Sequence, residues 1–241
     1  MRRMRHLKPR EIQGCKLALD ASIATSLYDA TSGGALVAAN GAVARWEDQS
    51  GNGYHVTQAT GANKPLRKVA QKSGLDALLF DASNDRMINA SIYVSLPTTI
   101  FAFGQTAEDL AVFVDSYNNV PHALYRAATF GDIGDLFGMS SGGTAASIAR
   151  DAEWGGLVAT NSASAGKTIS RGRLTGSTAS NSANALSGIS VGALRGNPTP
   201  VVATYYLNGY AAEIAVWNRV LPDAVRQRIN DSRSRKWRTD R

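Results

Sequence analysis

Turn-forming residues recur at short intervals along the chain, and they constrain its fold more than any other feature. Glycine occurs 23 times in 241 residues, and Asn40-Gly41 and Ser50-Gly-Asn-Gly53 are of the kind that tight β-turns prefer. Between such turns lie short runs rich in β-branched and aromatic residues, for example Thr99 to Phe103 and Glu213 to Trp217. Many short strands joined by tight turns predict an all-β domain.

The stretch between residues 138 and 196 is dominated by Gly, Ser, Ala and Thr. Such low complexity is common in linkers. Short β-favouring pieces nevertheless recur within it, among them Gly156-Leu-Val158 and Ile189-Ser-Val191. We therefore interpret this stretch as strands and hairpins with small side chains.

Only the last segment predicts a helix. Pro222 suits a first helical position, and Asp223 suits the positively polarised N-terminal end of a helix. No Pro-rich linker and no fixed-period repeat divides the sequence. We expect one β-sandwich domain over residues 17–225, preceded by a basic arm over residues 1–16 and followed by the helix end and a basic tail over residues 226–241.

The net charge of +7 is concentrated at the two ends of the chain. Residues 1–16 and 226–241 together contain thirteen Lys and Arg against three acidic residues, whereas the middle of the chain is slightly acidic. Basic ends of this kind attract an acidic protein surface or nucleic acid, and solvated ends that aid solubility are an equal alternative. The predicted docking residues are Arg2, Arg3, Arg5, Lys8, Arg10, Arg233, Arg235, Lys236 and Arg238.

The N-terminus is basic, but no apolar stretch of about 7–15 residues follows it, as a secretory signal peptide requires. No run approaches the roughly 20 apolar residues of a membrane span. The single cysteine, Cys15, excludes an internal disulfide and fits a reducing compartment. We therefore expect synthesis in the cytoplasm without a signal peptide, and no membrane partner.

Several segments, in order, carry a resemblance to a known superfamily. Leu19-Asp-Ala-Ser22 matches its opening strand, and Trp46-Glu-Asp-Gln-Ser-Gly-Asn-Gly-Tyr-His55 is similar to its W-x-D-x-S-G-N-G signature. Leu79-Phe80-Asp81 resembles its F-D-G-x-D-D turn, and Gly209-Tyr-Ala-Ala-Glu-Ile-Ala-Val-Trp-Asn-Arg-Val-Leu-Pro222 resembles its last strand. The pattern resembles concanavalin A-like lectins and glucanases, specifically bacterial and phage laminin-G-like domains. The resemblance implies a two-sheet antiparallel jelly-roll sandwich with a short C-terminal helix.

The glucanases of that superfamily carry an E-x-D-x-x-E or E-x-D-x-E run on one strand, with carboxylates about 5–5.5 Å apart for a retaining reaction. The sequence contains no such run. Glu47-Asp48 and Glu108-Asp109 are adjacent pairs, whose side chains face opposite ways on a strand. Asp151 and Glu153 have no third partner. We therefore expect that the chain is not an enzyme.

Laminin-G-like relatives can bind calcium, and the resemblance implies a partial site. Asp48 and Asn52 match the signature turn, whereas Ala212 occupies the position in the last-strand motif where a ligating Asp is expected. The neighbouring Glu213 is the substitute ligand in this hypothesis. Calcium prefers six to eight oxygen ligands. The alternative is a turn in which Asp48 accepts hydrogen bonds from its own backbone.

Sugar binding by a β-sandwich requires an exposed aromatic side chain with polar groups beside it. Tyr117, Asn118 and Asn119 form one such candidate group. Trp154, which is followed by two glycines, is another. Both are expected near loops.

Several functions are compatible with a jelly roll of this kind, because one fold hosts many functions. The first is a non-enzymatic structural or decoration protein of a tailed-bacteriophage virion, oligomeric in the particle and docked on the capsid or tail through its basic ends. The alternative is a carbohydrate-binding module of the lectin or adhesion type, with or without calcium. Nucleic-acid binding through the basic ends ranks below both, and no other cofactor is expected.

Overall fold

The computed structural model describes residues 7–106, 112–118, 122–127, 136–141, 146–149, 154–164, 166–171, 174–179, 185–194 and 206–239. In these ranges the chain forms two antiparallel β-sheets packed face to face and one α-helix near the C-terminus. The all-β sandwich with a C-terminal helix that the sequence predicts is confirmed.

The first sheet contains eight strands among the described residues. They are β1 (Cys15–Asp20), β5 (Leu66–Lys72), β6 (Leu75–Asp81), β8 (Thr98–Thr106), β13 (Gly155–Ser162), β14 (Gly166–Arg171), β15 (Leu174–Ala179) and β17 (Asn208–Trp217). Their order across the sheet is β15-β14-β13-β8-β17-β6-β5. β1 pairs with the second half of β17, which places Asp20 directly opposite Glu213.

The second sheet contains nine strands among the described residues. They are β2 (Leu27–Tyr28), β3 (Arg45–Trp46), β4 (Val56–Thr57), β7 (Met87–Val94), β9 (Val112–Asp115), β10 (His122–Ala127), β11 (Leu136–Ser141), β12 (Ala146–Ala149) and β16 (Leu186–Val191). Their order is β12-β11-β10-β9-β16-β7-β4-β3-β2. β7 and β16 are therefore neighbours near the middle of this sheet.

β17 is buried on both faces and separates two apolar clusters. Its Ile214 and Val216 point into the main core between the sheets, whereas Ala215 and Trp217 lie in a second cluster on the outer face of the first sheet. Trp46, a large apolar residue of the kind expected to anchor a sandwich core, is fully buried in the main core. Trp217, for which the same anchoring role is expected, packs in the second cluster instead.

The helix α1 (Asp223–Trp237) covers this second cluster, which contains its residues Ile229 and Trp237. The helix begins at Asp223, next to the predicted start, and it extends well beyond the predicted domain boundary after residue 225. Residues 226–237 are therefore part of the folded body. No helix among the described residues is long and apolar enough to cross a membrane.

The described part of the predicted N-terminal arm also packs on the first sheet. We call residues 7–12 the strap; it contains a 3₁₀ helix (Pro9–Glu11). The Leu7 amide donates to Ser232 Oγ at 2.9 Å, and Arg233 Nη2 donates to the Leu7 carbonyl oxygen at 2.6 Å. Leu7 also contacts the second apolar cluster. The strap is therefore fixed to the last turns of α1.

Candidate functional site

An exposed aromatic side chain lies on the outer face of the second sheet. Ile92 and Val94 of β7 point into the main core, so Tyr93 between them points outward, where it is 62% exposed. Tyr93 pairs with Ser187 of β16. Directly opposed residues of an antiparallel pair have Cβ atoms about 4.5–5.5 Å apart, so Ser187 lies beside the tyrosine.

A bulge in β7 brings an amide side chain to this surface. Between Asn89 and Tyr93 the strand contains two residues more than β16 contains across from it. Bulges of this kind re-aim side chains and are common beside binding sites. Asn118 Nδ2 donates to the carbonyl oxygen of Ala90, within the bulge, at 2.9 Å and lies 3.4 Å from Ser187 Oγ.

The turn that carries Asn118 is held in place by one carbonyl group. The amides of Tyr117 and Asn118 and the hydroxyl of Ser116 all donate to the Ser187 carbonyl oxygen, at 3.1, 2.8 and 2.9 Å. Gly188 permits this approach, because its φ is +65° and a Cβ there would lie 2.6 Å from Tyr117 Cβ. We call Tyr93, Asn118 and Ser187 the tyrosine–asparagine surface.

The structure brings part of the predicted sugar-binding group to this surface. Asn118 is exposed and Tyr117 is half-buried beside it, whereas Asn119 lies outside the described residues. Tyr93 was not among the candidates derived from the sequence. Its position between two apolar residues of a strand is a signal that sequence reasoning could have used.

Trp154, the other predicted sugar-binding residue, does not present a face to solvent. It is 9% exposed and belongs to the second apolar cluster. Its ring stacks against Tyr210 at 5.4 Å and against Trp237 at 5.9 Å between centroids. Because these rings cover it, Trp154 stabilises the contact between α1 and the first sheet and cannot be a sugar platform.

The three predicted calcium residues have different hydrogen-bond partners in the structure. The Asp48 carboxylate accepts four hydrogen bonds, at 2.7–3.1 Å, from the Ala18 amide, the Ser50 amide and hydroxyl, and the Tyr54 amide. Asn52 directs its NH₂ group at two carbonyl oxygens of β1, at 3.1 Å each. These hydrogen bonds are those of the alternative interpretation, in which the turn is closed by its own hydrogen bonds, and the calcium site stays a prediction. Among the described residues, no group of three or more His, Cys, Asp or Glu could hold a metal ion.

Glu213, the third predicted calcium residue, lies at the centre of a buried ion-pair network. Its Oε1 accepts hydrogen bonds from Lys236 Nζ at 2.7 Å and Trp237 Nε1 at 2.8 Å, and its Oε2 lies 2.8 Å from Arg233 Nε. Complete burial and the neighbouring Asp20 raise the pKa of Glu213, while the two cations oppose that shift. Sequence reasoning could not connect this carboxylate to the helix.

The predicted docking residues have different surroundings in the structure. Arg233 and Lys236 both pair with Glu213 and hold α1 on β17, which corrects their assignment to a basic docking tail. Arg235 and Arg238 are exposed. Lys8 and Arg10 are exposed on the strap. The remaining predicted docking residues, Arg2, Arg3 and Arg5, lie outside the described residues.

A cavity of about 360 Å³ lies between the strap, β1 and the end of α1. Asp20 lines it, with carboxylate oxygens 3.0 and 2.8 Å from Lys236 Nζ. Ser22 also lines it and donates its hydroxyl to Asp20 at 2.6 Å. Lys8 and Arg10 contribute positive charge to the strap side. We call this space the strap cavity.

No family model and no curated protein matches the chain, but solved structures do. A GH54 α-L-arabinofuranosidase soaked with 4-nitrophenyl α-L-arabinofuranoside is similar at a TM-score of 0.66 and 15% identity, over 94% of this chain and 64% of that one. Trypanosoma rangeli sialidase in complex with sialic acid has a TM-score of 0.56 at 12% identity, over 93% of this chain and 33% of the sialidase.

Another similar structure is domain 4 of AbnA, a GH43 extracellular arabinanase from Geobacillus stearothermophilus, in complex with arabinotriose. Its TM-score is 0.54 at 11% identity, and the match covers 90% of this chain and 97% of that domain. At these identities the likeness shows the β-sandwich fold. The two-sheet β-sandwich that the resemblance implies is therefore supported, whereas the assignment to concanavalin A-like domains stays a prediction. The chain spans less than two thirds of the arabinofuranosidase.

The prediction that the chain is not an enzyme is wrong. It rested on the absence of one carboxylate run, whereas the structures that share this fold over 93–94% of the chain include an arabinofuranosidase and a sialidase. The absence of that run therefore does not separate binding domains from hydrolases.

Asp20 and Glu213 are two carboxylates close enough to suggest glycosidase geometry. Each has an oxygen within 2.8 Å of Lys236 Nζ, so these oxygens are no more than 5.5 Å apart, and retaining glycosidases have carboxyl groups about 5–5.5 Å apart. Glu213 is only 1% exposed, and its oxygens already contact Lys236, Trp237 and Arg233. In this arrangement Glu213 holds the helix and does not reach a substrate.

Proposed function

We propose that this chain is a glycan-binding β-sandwich domain whose binding site is the tyrosine–asparagine surface. The observation that carries the proposal is the exposure of Tyr93 beside the fixed amide of Asn118. Among the described residues, Tyr93 is the one aromatic side chain in the group of large, exposed hydrophobic residues. Aromatic residues exposed beside polar groups are typical of recognition surfaces.

The chemistry of the surface suits a sugar ring, which has C–H groups on its faces and hydroxyl groups around its edge. The Tyr93 ring offers an apolar face to the C–H groups. The Asn118 carbonyl oxygen and the hydroxyl groups of Ser187 and Tyr93 supply hydrogen-bond acceptors and donors for the hydroxyl groups of the sugar. Because the Asn118 turn is already held by hydrogen bonds, binding orders few additional groups.

The solved structures that share the fold support a carbohydrate ligand. The AbnA domain is in complex with arabinotriose and the sialidase with sialic acid. The AbnA domain is matched over 97% of its length, so the comparison is between units of similar size. Arabinotriose is therefore the first ligand to test.

Isothermal titration calorimetry with arabinotriose tests the proposal. We expect the wild type to bind and Tyr93→Ala to bind at least about tenfold more weakly, because the ring supplies the main apolar contact. Leu36→Ala is the matched control, since it removes another exposed apolar side chain, 49% exposed, which is bridged to β2 at the edge of the second sheet. Wild-type protein that binds neither arabinotriose nor sialic acid contradicts the proposal, as does equal affinity in Tyr93→Ala.

Hydrolysis of the bound glycan is a second candidate function, favoured by the match to the arabinofuranosidase over 94% of this chain. Release of 4-nitrophenol from 4-nitrophenyl α-L-arabinofuranoside measures it directly. Release above the buffer rate that falls in Tyr93→Ala supports catalysis near this surface. Arabinotriose binding without any release limits the function to recognition.

The virion role, the calcium requirement and nucleic-acid binding stay predictions from the sequence. Co-sedimentation of the purified chain with phage particles tests the virion role. A chain that does not sediment with the particles contradicts that role. Repeating the arabinotriose titration with calcium and with a chelator tests the calcium requirement. A gel-shift experiment with duplex DNA at several salt concentrations tests nucleic-acid binding, which predicts a shift that weakens as salt is added.

A further inference from the structure

The strap cavity lies on the opposite side of the sandwich from the tyrosine–asparagine surface. Asp20 and Glu213 are on the outer face of the first sheet, whereas Tyr93 is on the outer face of the second. Its volume of about 360 Å³ is within the range of small-molecule sites, about 300–1,000 Å³. The two sites can therefore be tested separately.

The strap side of the cavity is fixed before any ligand binds. Leu7 is bonded to Ser232 and Arg233 of α1 through both its amide and its carbonyl group. Within the strap, the Ile12 amide donates to the Pro9 carbonyl oxygen at 3.1 Å and closes the 3₁₀ turn. A preformed rim reduces the entropy that binding would cost.

The charges around the cavity leave an excess of positive charge. Asp20 and Glu213 are compensated by Lys236 and Arg233, which contact them at 2.7–2.8 Å. The remaining cations of the lining are therefore on the strap. Such a balance favours an anion at the strap side.

The two cations of the strap differ in their surroundings. Lys8 forms an ion pair with Glu11 at 3.9 Å, with both side chains about half exposed, and an exposed pair of this kind contributes little. Arg10, also exposed, presents a planar guanidinium group, whose donors match the geometry of a carboxylate. Arg10 is the better placed anchor.

The rest of the lining offers polar and apolar groups at short range. Ser22 and Gln49 line the cavity together with Asp20 and can bond hydroxyl groups. Pro9 and Ile23 supply an apolar wall. This combination suits a ligand that has a carboxylate, several hydroxyl groups and an apolar ring face.

We infer that the strap cavity is a binding site for a small sugar acid, with its carboxylate on Arg10 and its hydroxyl groups on Ser22, Gln49 and Asp20. The site goes beyond the proposed glycan surface, because it uses no residue of that surface. A monosaccharide with one carboxylate, such as a hexuronic acid, has the required groups.

Calorimetry with sodium D-glucuronate, and with D-glucose as the uncharged counterpart, tests this site. We expect glucuronate to bind at least about tenfold more tightly than glucose, and Arg10→Gln to weaken glucuronate binding at least about fivefold. Added salt weakens it as well, because the anchor is exposed. Arg228→Gln, which removes the same charge from the exposed side of α1, is the matched control and leaves binding unchanged.

Tyr93→Ala separates this inference from the proposed function. We expect this variant to lose arabinotriose binding and to retain glucuronate binding. No binding of glucuronate by the wild type, equal binding of glucose, or equal losses in Arg10→Gln and Arg228→Gln would each overturn the inference. Loss of glucuronate binding in Tyr93→Ala would also overturn it, because the acid would then occupy the other face.

Discussion

Two aspartates in turns differ in how their charge is stabilised. Asp48 accepts four hydrogen bonds, whereas Asp85 accepts one, from the Asp81 amide at 3.1 Å, and is only 4% exposed. Burial, with a further contribution from Asp81, raises the pKa of Asp85 from 3.8 to about 6. Asp85 is therefore a buried carboxyl whose charged form destabilises the fold.

The Asp85 shift predicts a pH dependence of stability. Between about pH 4 and pH 6 the folded chain keeps a proton that the unfolded chain has released, so the contribution of Asp85 to the free energy of unfolding falls as the pH rises through this range. Asp85→Asn should remove that decrease and raise the free energy of unfolding at pH 7 by about 1–2 kcal/mol. Urea titrations at pH 4, 5, 6 and 7 measure both effects.

The control for Asp85 is Asp29→Asn, which changes an exposed turn carboxylate that also accepts one backbone amide, from Ala35. We expect its pH profile to follow that of the wild type. If Asp85→Asn gives the same profile as the wild type, Asp85 titrates as an ordinary aspartate and the account of this turn fails.

At Asp48 we expect the same substitution, Asp48→Asn, to have the opposite effect and to lower the free energy of unfolding. In Asp48→Asn an NH₂ group replaces one of the two oxygens. On either side it faces at least one backbone amide, from Ala18 and Ser50 or from Tyr54, so a hydrogen bond is lost and two buried donors face each other. We expect a loss of about 2–4 kcal/mol in the free energy of unfolding, measured by urea denaturation. Asp231→Asn, a half-buried helix carboxylate bonded to Gln227, is the control and changes stability by less than about 1 kcal/mol. Equal stability of the two variants contradicts this interpretation.

At the level of elements, α1 is held to the sheet by polar as well as apolar contacts. Of its fifteen residues, Ile229 and Trp237 are the buried apolar ones, and Arg233 is also buried. Glu213 of β17 binds three groups of the last two turns of the helix. The position of this end of α1 therefore depends on one carboxylate.

Glu213→Gln tests this dependence. The substitution keeps the volume but leaves the buried guanidinium of Arg233 without its counter-charge, and breaking a buried ion pair costs about 3–5 kcal/mol. We expect a corresponding fall in thermal stability and increased exposure of Trp237 to a fluorescence quencher. Asp223→Asn removes the pair between the exposed Asp223 carboxylate and Arg226, and this change should cost at most about 1 kcal/mol. A Glu213→Gln variant as stable as Asp223→Asn would falsify the role of the network.

Sequence reasoning succeeded where the information was local. The turn residues and the alternation of Ile214 and Val216 with Ala215 and Trp217 predicted strands that the structure contains. It failed where distant segments meet: Asp20 contacts Lys236 across 216 positions, and no spacing in the sequence relates them. The same reason explains why Lys236 was assigned to a basic docking tail.

At the scale of the whole molecule, the two sheets have different outer faces. The outer face of the first sheet is covered by α1 and the strap, and the strap cavity lies between them. The outer face of the second sheet presents Tyr93 to solvent, beside the bulge in β7. Recognition of a glycan is therefore expected on the second sheet.

A titration of the ¹⁵N-labelled protein with arabinotriose, followed by amide chemical shifts, tests the central claim most directly. We expect the largest shifts at Tyr93, Asn118 and Ser187, and we expect Tyr93→Ala to abolish them. Shifts confined to residues outside the tyrosine–asparagine surface, or no shifts at millimolar arabinotriose and sialic acid, would contradict it.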